Sequence, residues 1–322
     1  SAGEALYVRE GLRMPRLSVL VGLMVAASGI ISSAVLTKGF AGYLGVVLDW
    51  PPPLFTALLL IALVLLAIWG IREAVTVAAV ITAVEVAGLV LVIWVARDGL
   101  LEIGPWVERV LDGPQGSAWG MIASGAVLAF FAFIGFEDMV NVAEEVRDVR
   151  RTMPRAILLT LLITAFLYCV VSLVALLSAA GAQLGQSDAP LAEIYARATG
   201  GSPLPIVFIG TLAIVNGALI QIIMGSRVLY GLAAQGQIAA VFAAVHPTRK
   251  TPIVATIVVG GLVGLLAMLF PLETLARLTS VLVLSVFVLV NFSLVALKWR
   301  GERADQPAFR VPVWVPLAGG IA

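Results

Sequence analysis

The sequence holds one cysteine, one histidine and little charge. Cys169 has no second cysteine to pair with, which excludes a disulfide framework within the chain. With His246 as the lone histidine, there is no ligand set for a His/Cys metal centre. Charged residues make up 12% of the 322, about half of what a soluble domain carries. Lys and Arg number 20 against 19 Asp and Glu, so the formal charge of +1 gives no basic field for nucleic acid. An initiator Met and a cleavable signal pattern are both missing, because residues 1–16 are polar and start mid-pattern; a chain that begins inside a longer protein is expected.

Apolar residues are abundant instead, at 61%, with a mean hydropathy of +1.07. A helix needs about 20 apolar residues to cross a bilayer. Eight such windows can be marked: Leu17–Leu44, Leu54–Ile71, Ala74–Ala96, Ala118–Val142, Ala156–Ala179, Leu204–Ala233, Ile253–Phe270 and Leu278–Leu297, with a ninth opening at Val311. All are too long for strands of a membrane barrel, so the chain reads as an all-α, polytopic membrane protein. Basic residues recur at every second connection, fifteen on the face that holds Ser1 against Lys38, Arg97, Arg109, Arg197 and Arg277 on the other. That bias places Ser1 on the cytoplasmic side. Leu191, Ile194, Tyr195 and Ala198 form an amphipathic stretch between the fifth and sixth windows, and the segment 231–251, with Phe242, is apolar enough to lie at an interface.

Charge inside a span is costly and marks functional candidates. The windows contain Glu85, Glu137 and Asp138, with Lys38 and Arg227 near span ends. In the fourth window an aromatic cluster, Phe130, Phe131 and Phe133, meets Gly135 and then Glu137 and Asp138. A helix that opens at such a glycine exposes peptide groups to a cavity, and its half-helix ends present carbonyls to cations and amides to anions. The alternative is a continuous helix whose glycine serves close packing. Lys38 is read as snorkelling outward, Ser28, Gly29, Ser32 and Ser33 as packing residues, and Glu144 and Glu145 as solvated partners of Arg147, Arg150 and Arg151. No nucleophile, base and orienter gather into one constellation, so no enzyme is expected.

Residues 130–145, followed by the basic run 147–151 and Pro154-Arg155-Ala156-Ile157, resemble the sixth-helix signature of the amino acid-polyamine-organocation transporters. Ser226-Arg227-Val228-Leu229-Tyr230 and the later Thr251-Pro252 resemble that superfamily's eighth helix and the start of its ninth, and Ser1–Glu10 resembles the end of its second helix and the loop after it. The resemblance implies a leucine-transporter-like fold of two inverted repeats, broken in helices one and six. It registers the chain as one partial transporter domain: 1–16 the cytoplasmic loop after helix two, 17–117 helices three to five, 118–297 helices six to ten, and 298–322 a cytoplasmic loop and the start of helix eleven. Helix one, which in the superfamily binds the substrate carboxylate, falls upstream of Ser1.

Carried over by position, the resemblance puts Phe131, Ala132, Phe133, Ile134 and Gly135 at the substrate-contacting break and Glu137 just below it, at a gate. Glu137 then holds a cationic side chain, closes a gate, binds a proton, or serves only as a hydrogen-bonded structural carboxylate. Asn216 corresponds to a small polar position facing the substrate or cation site, and buried Asn also acts as interhelical glue. Glu85 stands where several relatives have a lysine that substitutes for sodium; the departure leaves a proton carrier or a satisfied structural carboxylate. The expectation is an amino acid permease of the cell (plasma or inner) membrane, working by alternating access with proton coupling or exchange and no cofactor. Its partners are a small amino acid, the lipid bilayer and protons, without nucleic acid. The rival readings are a polyamine or organic-cation transporter and a non-transporting ligand-binding protein of the same fold.

Overall fold

The computed structural model describes residues 3–70, 75–104, 107–108, 113, 118–139, 146–178, 184–301 and 310–321. A chain in hydrocarbon must satisfy each peptide group within its own segment, and the described part of every apolar window is helical for most of its length. In chain order the helices are α1 (Gly3–Leu12), α2 (Pro15–Gly45), α3 (Pro52–Trp69), α4 (Val75–Val95), α5 (Ala118–Phe130), α6 (Val149–Leu177), α7 (Pro190–Thr199), α8 (Leu204–Ala234), α9 (Ile253–Leu269), α10 (Leu272–Trp299) and α11 (Trp314–Ile321). Short 3-10 turns lie at Arg97–Glu102, Phe131–Phe133 and Ala240–Ala243, and no strand occurs among the described residues. Six helical segments among the described residues are long and apolar enough to cross a membrane, and the apolar stretches Ala79–Val95 and Ile253–Leu269 are shorter. The protein is an all-α, polytopic membrane protein.

Helix α2 is the hub, in contact with α1, α3, α8, α9 and α10. Its buried face is made of small residues, among them Ala26, Ser28, Gly29, Ser32, Ser33 and Ala34, which let backbones approach where lipid offers no hydrophobic drive for association. The buried hydroxyls return their protons to backbone: Thr37 Oγ1 donates to the Ser33 carbonyl at 2.7 Å and Ser18 Oγ to the Ala5 carbonyl at 2.8 Å. Around α2 close Leu63 of α3, Ile222 and Leu232 of α8, Val259 and Val263 of α9 and Leu275 of α10. A second cluster joins Val92 of α4, Val174 of α6, Ile194 of α7 and Val207 of α8.

Helices α5 and α6 are more thinly packed, with Leu128 of α5 against the main core and Val174 of α6 in the second cluster. No residue of α5 is buried, and Val174 alone is buried in α6. Trp119, Met121, Leu162 and Phe166 are 64 to 69% exposed. So much contiguous apolar surface is incompatible with water and fits a lipid-facing wall.

The structure departs from the sequence reading in particular places. The stretch 1–16, expected as a loop, carries α1, because Glu4, Val8 and Gly11 share one face and bury against α2 and α10. Arg300 completes that helix by donating from Nη1 and Nη2 to the Gly11 and Glu10 carbonyls at 2.6 and 2.9 Å, satisfying carbonyls that a helix end leaves open. Lys38 does not snorkel outward. Its Nζ donates to the Ala267 carbonyl at 2.9 Å, placing a cation at the C-terminal end of α9. Phe242, expected at an interface, packs against the main core.

Candidate functional site

The helix that begins at Ala118 does break at the expected glycine. After α5 the chain tightens into the 3-10 turn at Phe131–Phe133, Ile134 becomes extended with φ −63° and ψ 135°, and Gly135 takes φ +118°. A second 3-10 stretch covers 136–139. In a continuous helix the Gly135 N–H would bond the Phe131 carbonyl; here the Ile134 N–H takes that carbonyl at 3.2 Å. The Gly135 N–H donates instead to Glu137 Oε2 at 2.7 Å. No atom lies within 4 Å of where a Cβ on Gly135 would stand, so glycine is needed for its backbone angle and not for space.

Below the break lies a narrow cleft with about 20 Å³ of free room, between α1, α2, α8, α10 and the residues after Gly135. Glu4, Glu137 and Asp138 line it together with Ser28, Gly29, Gln221 and Phe287. Gln221 Nε2 donates to Asp138 Oδ2 at 3.2 Å, tying the broken helix to α8. Glu4 is only 6% exposed, and both Glu4 and Asp138 lie within electrostatic reach of Glu137. Three carboxylates facing one cleft form an environment suited to a cation. The aromatics after α5 hold the break in place: Phe130 and Phe136 pack edge-on against Phe287 of α10 at 6.1 and 5.6 Å, and Phe131 leans on the main core.

A second polar centre lies between α4, α6 and α8. Glu85 of α4 and Asn216 of α8 lie within electrostatic reach of each other there, and Tyr168 of α6 senses the Glu85 charge. Phe133 packs edge-on against Tyr168 with ring centroids 5.3 Å apart, joining this centre to the broken helix. Midway along α5, Arg277 of α10 donates from Nη1 to Ser124 Oγ at 2.5 Å and to the Ser124 carbonyl at 3.2 Å.

The residues singled out from sequence are therefore distributed over two places. Glu137 lines the cleft, with Gly135 fixed to it by a hydrogen bond. Phe131, Ala132, Phe133 and Ile134 form the turn above, and Ala132 is exposed. Glu85 and Asn216 lie away from the cleft. Glu144 and Glu145 lie outside the described residues. Sequence reading did not single out Glu4 or Gln221, although a glutamine inside a long apolar helix is itself a signal.

These features define a polytopic membrane protein with a helix interrupted at a polar cleft. The family model described as Amino acid permease matches residues 1–322, and the chain belongs to that family, within the amino acid-polyamine-organocation superfamily whose sixth- and eighth-helix motifs it resembles. It is a permease-family protein and not an enzyme. It is 33% identical over 206 residues to the branched-chain amino acid permease BcaP of Bacillus subtilis, an alignment covering 63% of this chain and 44% of that protein. An uncharacterized transporter of Mycobacterium tuberculosis (strain H37Rv) is 32% identical over 265 residues, 77% of this chain and 59% of the relative. The cationic amino acid transporter 4 of Mus musculus is 32% identical over 188 residues, 58% of this chain and 29% of the relative. The chain thus spans less than two thirds of each of these relatives.

Proposed function

We propose that the protein is a secondary amino acid transporter of the cell membrane that works by alternating access, with Ser1 on the cytoplasmic side. The observation that carries this reading is the break at Gly135 beside a polar cleft, in a chain of the Amino acid permease family. A half-helix end at Phe131–Phe133 directs carbonyls towards an ammonium group. The substrate side chain then packs against Phe131, Phe133 and Ile134, and its carboxylate goes to the superfamily's first helix, upstream of Ser1 in this register. Glu137 closes the cytoplasmic side of the site through its bond to the Gly135 N–H. Coupling is to a proton or to exchange of one amino acid for another.

Two substrate classes have specific support. Relatives are named for branched-chain and for cationic amino acids, and the Glu4, Glu137 and Asp138 carboxylates in the cleft favour a basic side chain or a polyamine. Full-length protein in liposomes, offered labelled leucine and arginine with unlabelled putrescine as competitor, separates them. Accumulation of either amino acid, abolished by Gly135→Leu and by Phe131→Ala, is the expected result. Uptake untouched by both substitutions sinks the site, and binding without accumulation supports a non-transporting receptor of the same fold.

A further inference from the structure

Hydrogen-bond donors and acceptors are unequally distributed around the cleft below Gly135. The donors there are already engaged: Ser28 Oγ gives its proton to the Val25 carbonyl at 2.8 Å, Gln221 Nε2 donates to Asp138 Oδ2 at 3.2 Å, and the Gly135 N–H donates to Glu137 Oε2 at 2.7 Å. What faces the cleft beyond these bonds is oxygen, from the Ser28 hydroxyl, the Gln221 amide and the carboxylates of Glu4 and Glu137, and a carboxylate only accepts. Glu4 is the clearest case. It is only 6% exposed, it lines the cleft, and among the described residues no hydrogen bond or ion pair joins its side chain to another residue. A buried carboxylate left in that state is costly, and a ligand that brings donors removes the cost.

The size of the cleft narrows the choice of ligand. Its free room of about 20 Å³ compares with about 10–15 Å³ for one water, so it admits a single small group. Among the described residues no acidic cluster is placed to hold a metal ion. A guanidinium is a broad planar fork, whereas an alkylammonium is a compact charge with three donors on a flexible carbon stem. Val25, Met224, Val228 and Val286 in the lining suit such a stem, and Phe287 beside them is a ring of the kind that attracts cations. The cleft is also close to the substrate turn. The Ile134 N–H holds the Phe131 carbonyl at 3.2 Å and the next N–H, on Gly135, holds Glu137, which puts turn and carboxylate within about 10 Å of each other. A lysine-length chain with an amine at each end bridges that span.

We infer that the cleft is a subsite for the terminal primary ammonium of an aliphatic substrate, and that Glu4 of α1 sets a preference for lysine-like amino acids and primary diamines over arginine and over neutral amino acids. The three ammonium donors go to Glu4, to Glu137 and to the Gln221 amide oxygen, each of which has acceptor capacity left. Glu4 is a specificity-determining residue contributed by a helix other than the broken one. The inference rests on the transporter reading for the place of the α-amino group at the turn, but the subsite has a binding readout that needs no transport.

Calorimetric titration of the full-length protein in lipid nanodiscs with lysine, arginine and norleucine tests this. Norleucine has the same four-carbon chain without the ammonium. Lysine is expected to bind roughly tenfold more tightly than norleucine, the worth of a hydrogen bond to a charged group, and more tightly than arginine. Glu4→Gln is expected to bring the lysine-to-norleucine ratio close to one. Gly29→Ala tests the room independently of charge, because its methyl would stand 3.2 Å from Gln221 Oε1; it is expected to lower the same ratio. Equal binding of lysine and norleucine by the wild type, tighter binding of arginine than of lysine, or an unchanged ratio in a folded Glu4→Gln protein overturns the subsite. Uptake of labelled leucine and lysine into liposomes separates the two readings. If lysine binds with the stated preference and neither amino acid accumulates, the subsite stands and the transporter reading falls. If leucine accumulates and lysine has no advantage in binding, the subsite falls and the transporter reading stands.

Discussion

Gly135 holds φ at +118° with open space where a Cβ would stand, so substitution there is resisted by the backbone whatever the size of the new side chain. Such strain costs about 1–3 kcal/mol. Gly135→Ala is therefore expected to impair uptake nearly as much as Gly135→Leu, measured as initial rate at equal surface expression; a functional alanine beside an inactive leucine would show that space is the requirement. Gln221 makes a different demand. Its donation to Asp138 joins α8 to the broken helix, and a hydrogen bond to a charged group contributes roughly 1.5–3 kcal/mol. Gln221→Leu is expected to lower the thermal midpoint and Gln221→Glu to lower it further through repulsion, whereas equal midpoints for the two would deny that charge matters there. The glycine and Glu137 were legible because they sit in one short motif. Gln221 was not, since its partner lies 83 residues away, and only the packing of α8 against the residues after Gly135 brings them together. Glu4 escaped for a similar reason: its burial depends on α1 lying against α2 and α10.

At the level of elements, apolar windows located the helices well, because a span in hydrocarbon has no other way to satisfy its backbone. They were poor at locating ends. Helix α6 starts at Val149 and α10 at Leu272, ahead of the windows at Ala156 and Leu278, because a charged first turn stays helical while failing any hydropathy criterion. Arg277 lies in that hidden first part of α10, and from there it reaches Ser124 of α5. Helix α5 buries none of its own residues, and this clasp holds it to α10 beside the contacts of Leu128 and Phe130. Each of these charge-assisted bonds contributes roughly 1.5–3 kcal/mol. Arg277→Ala is expected to speed hydrogen exchange in 118–130 without a matching change in α2, and Glu273→Gln, which removes only an exposed i,i+4 partner of Arg277, to leave it nearly unchanged. Equal protection of α5 in wild type and Arg277→Ala would mean that aromatic packing on Phe287 suffices.

Across the whole molecule the burial is lopsided, with a tight core around α2 and a thinly packed wall of α5 and α6. Lipid on the outer face of the wall accounts for that asymmetry, and Cys169 offers a direct test. It is exposed on α6, eight residues before the helix ends at Leu177, or about 12 Å inward along the axis. A charged reagent is kept out of hydrocarbon, whereas an apolar one enters it. In lipid nanodiscs a charged methanethiosulfonate is therefore expected to leave Cys169 unmodified, while a small apolar maleimide labels it slowly and denaturation opens it to both. Rapid labelling by the charged reagent in the folded, lipid-embedded protein would mean that this face of α6 borders water. The wall would then belong to the transport route, and the break at Gly135 would be reached from two sides.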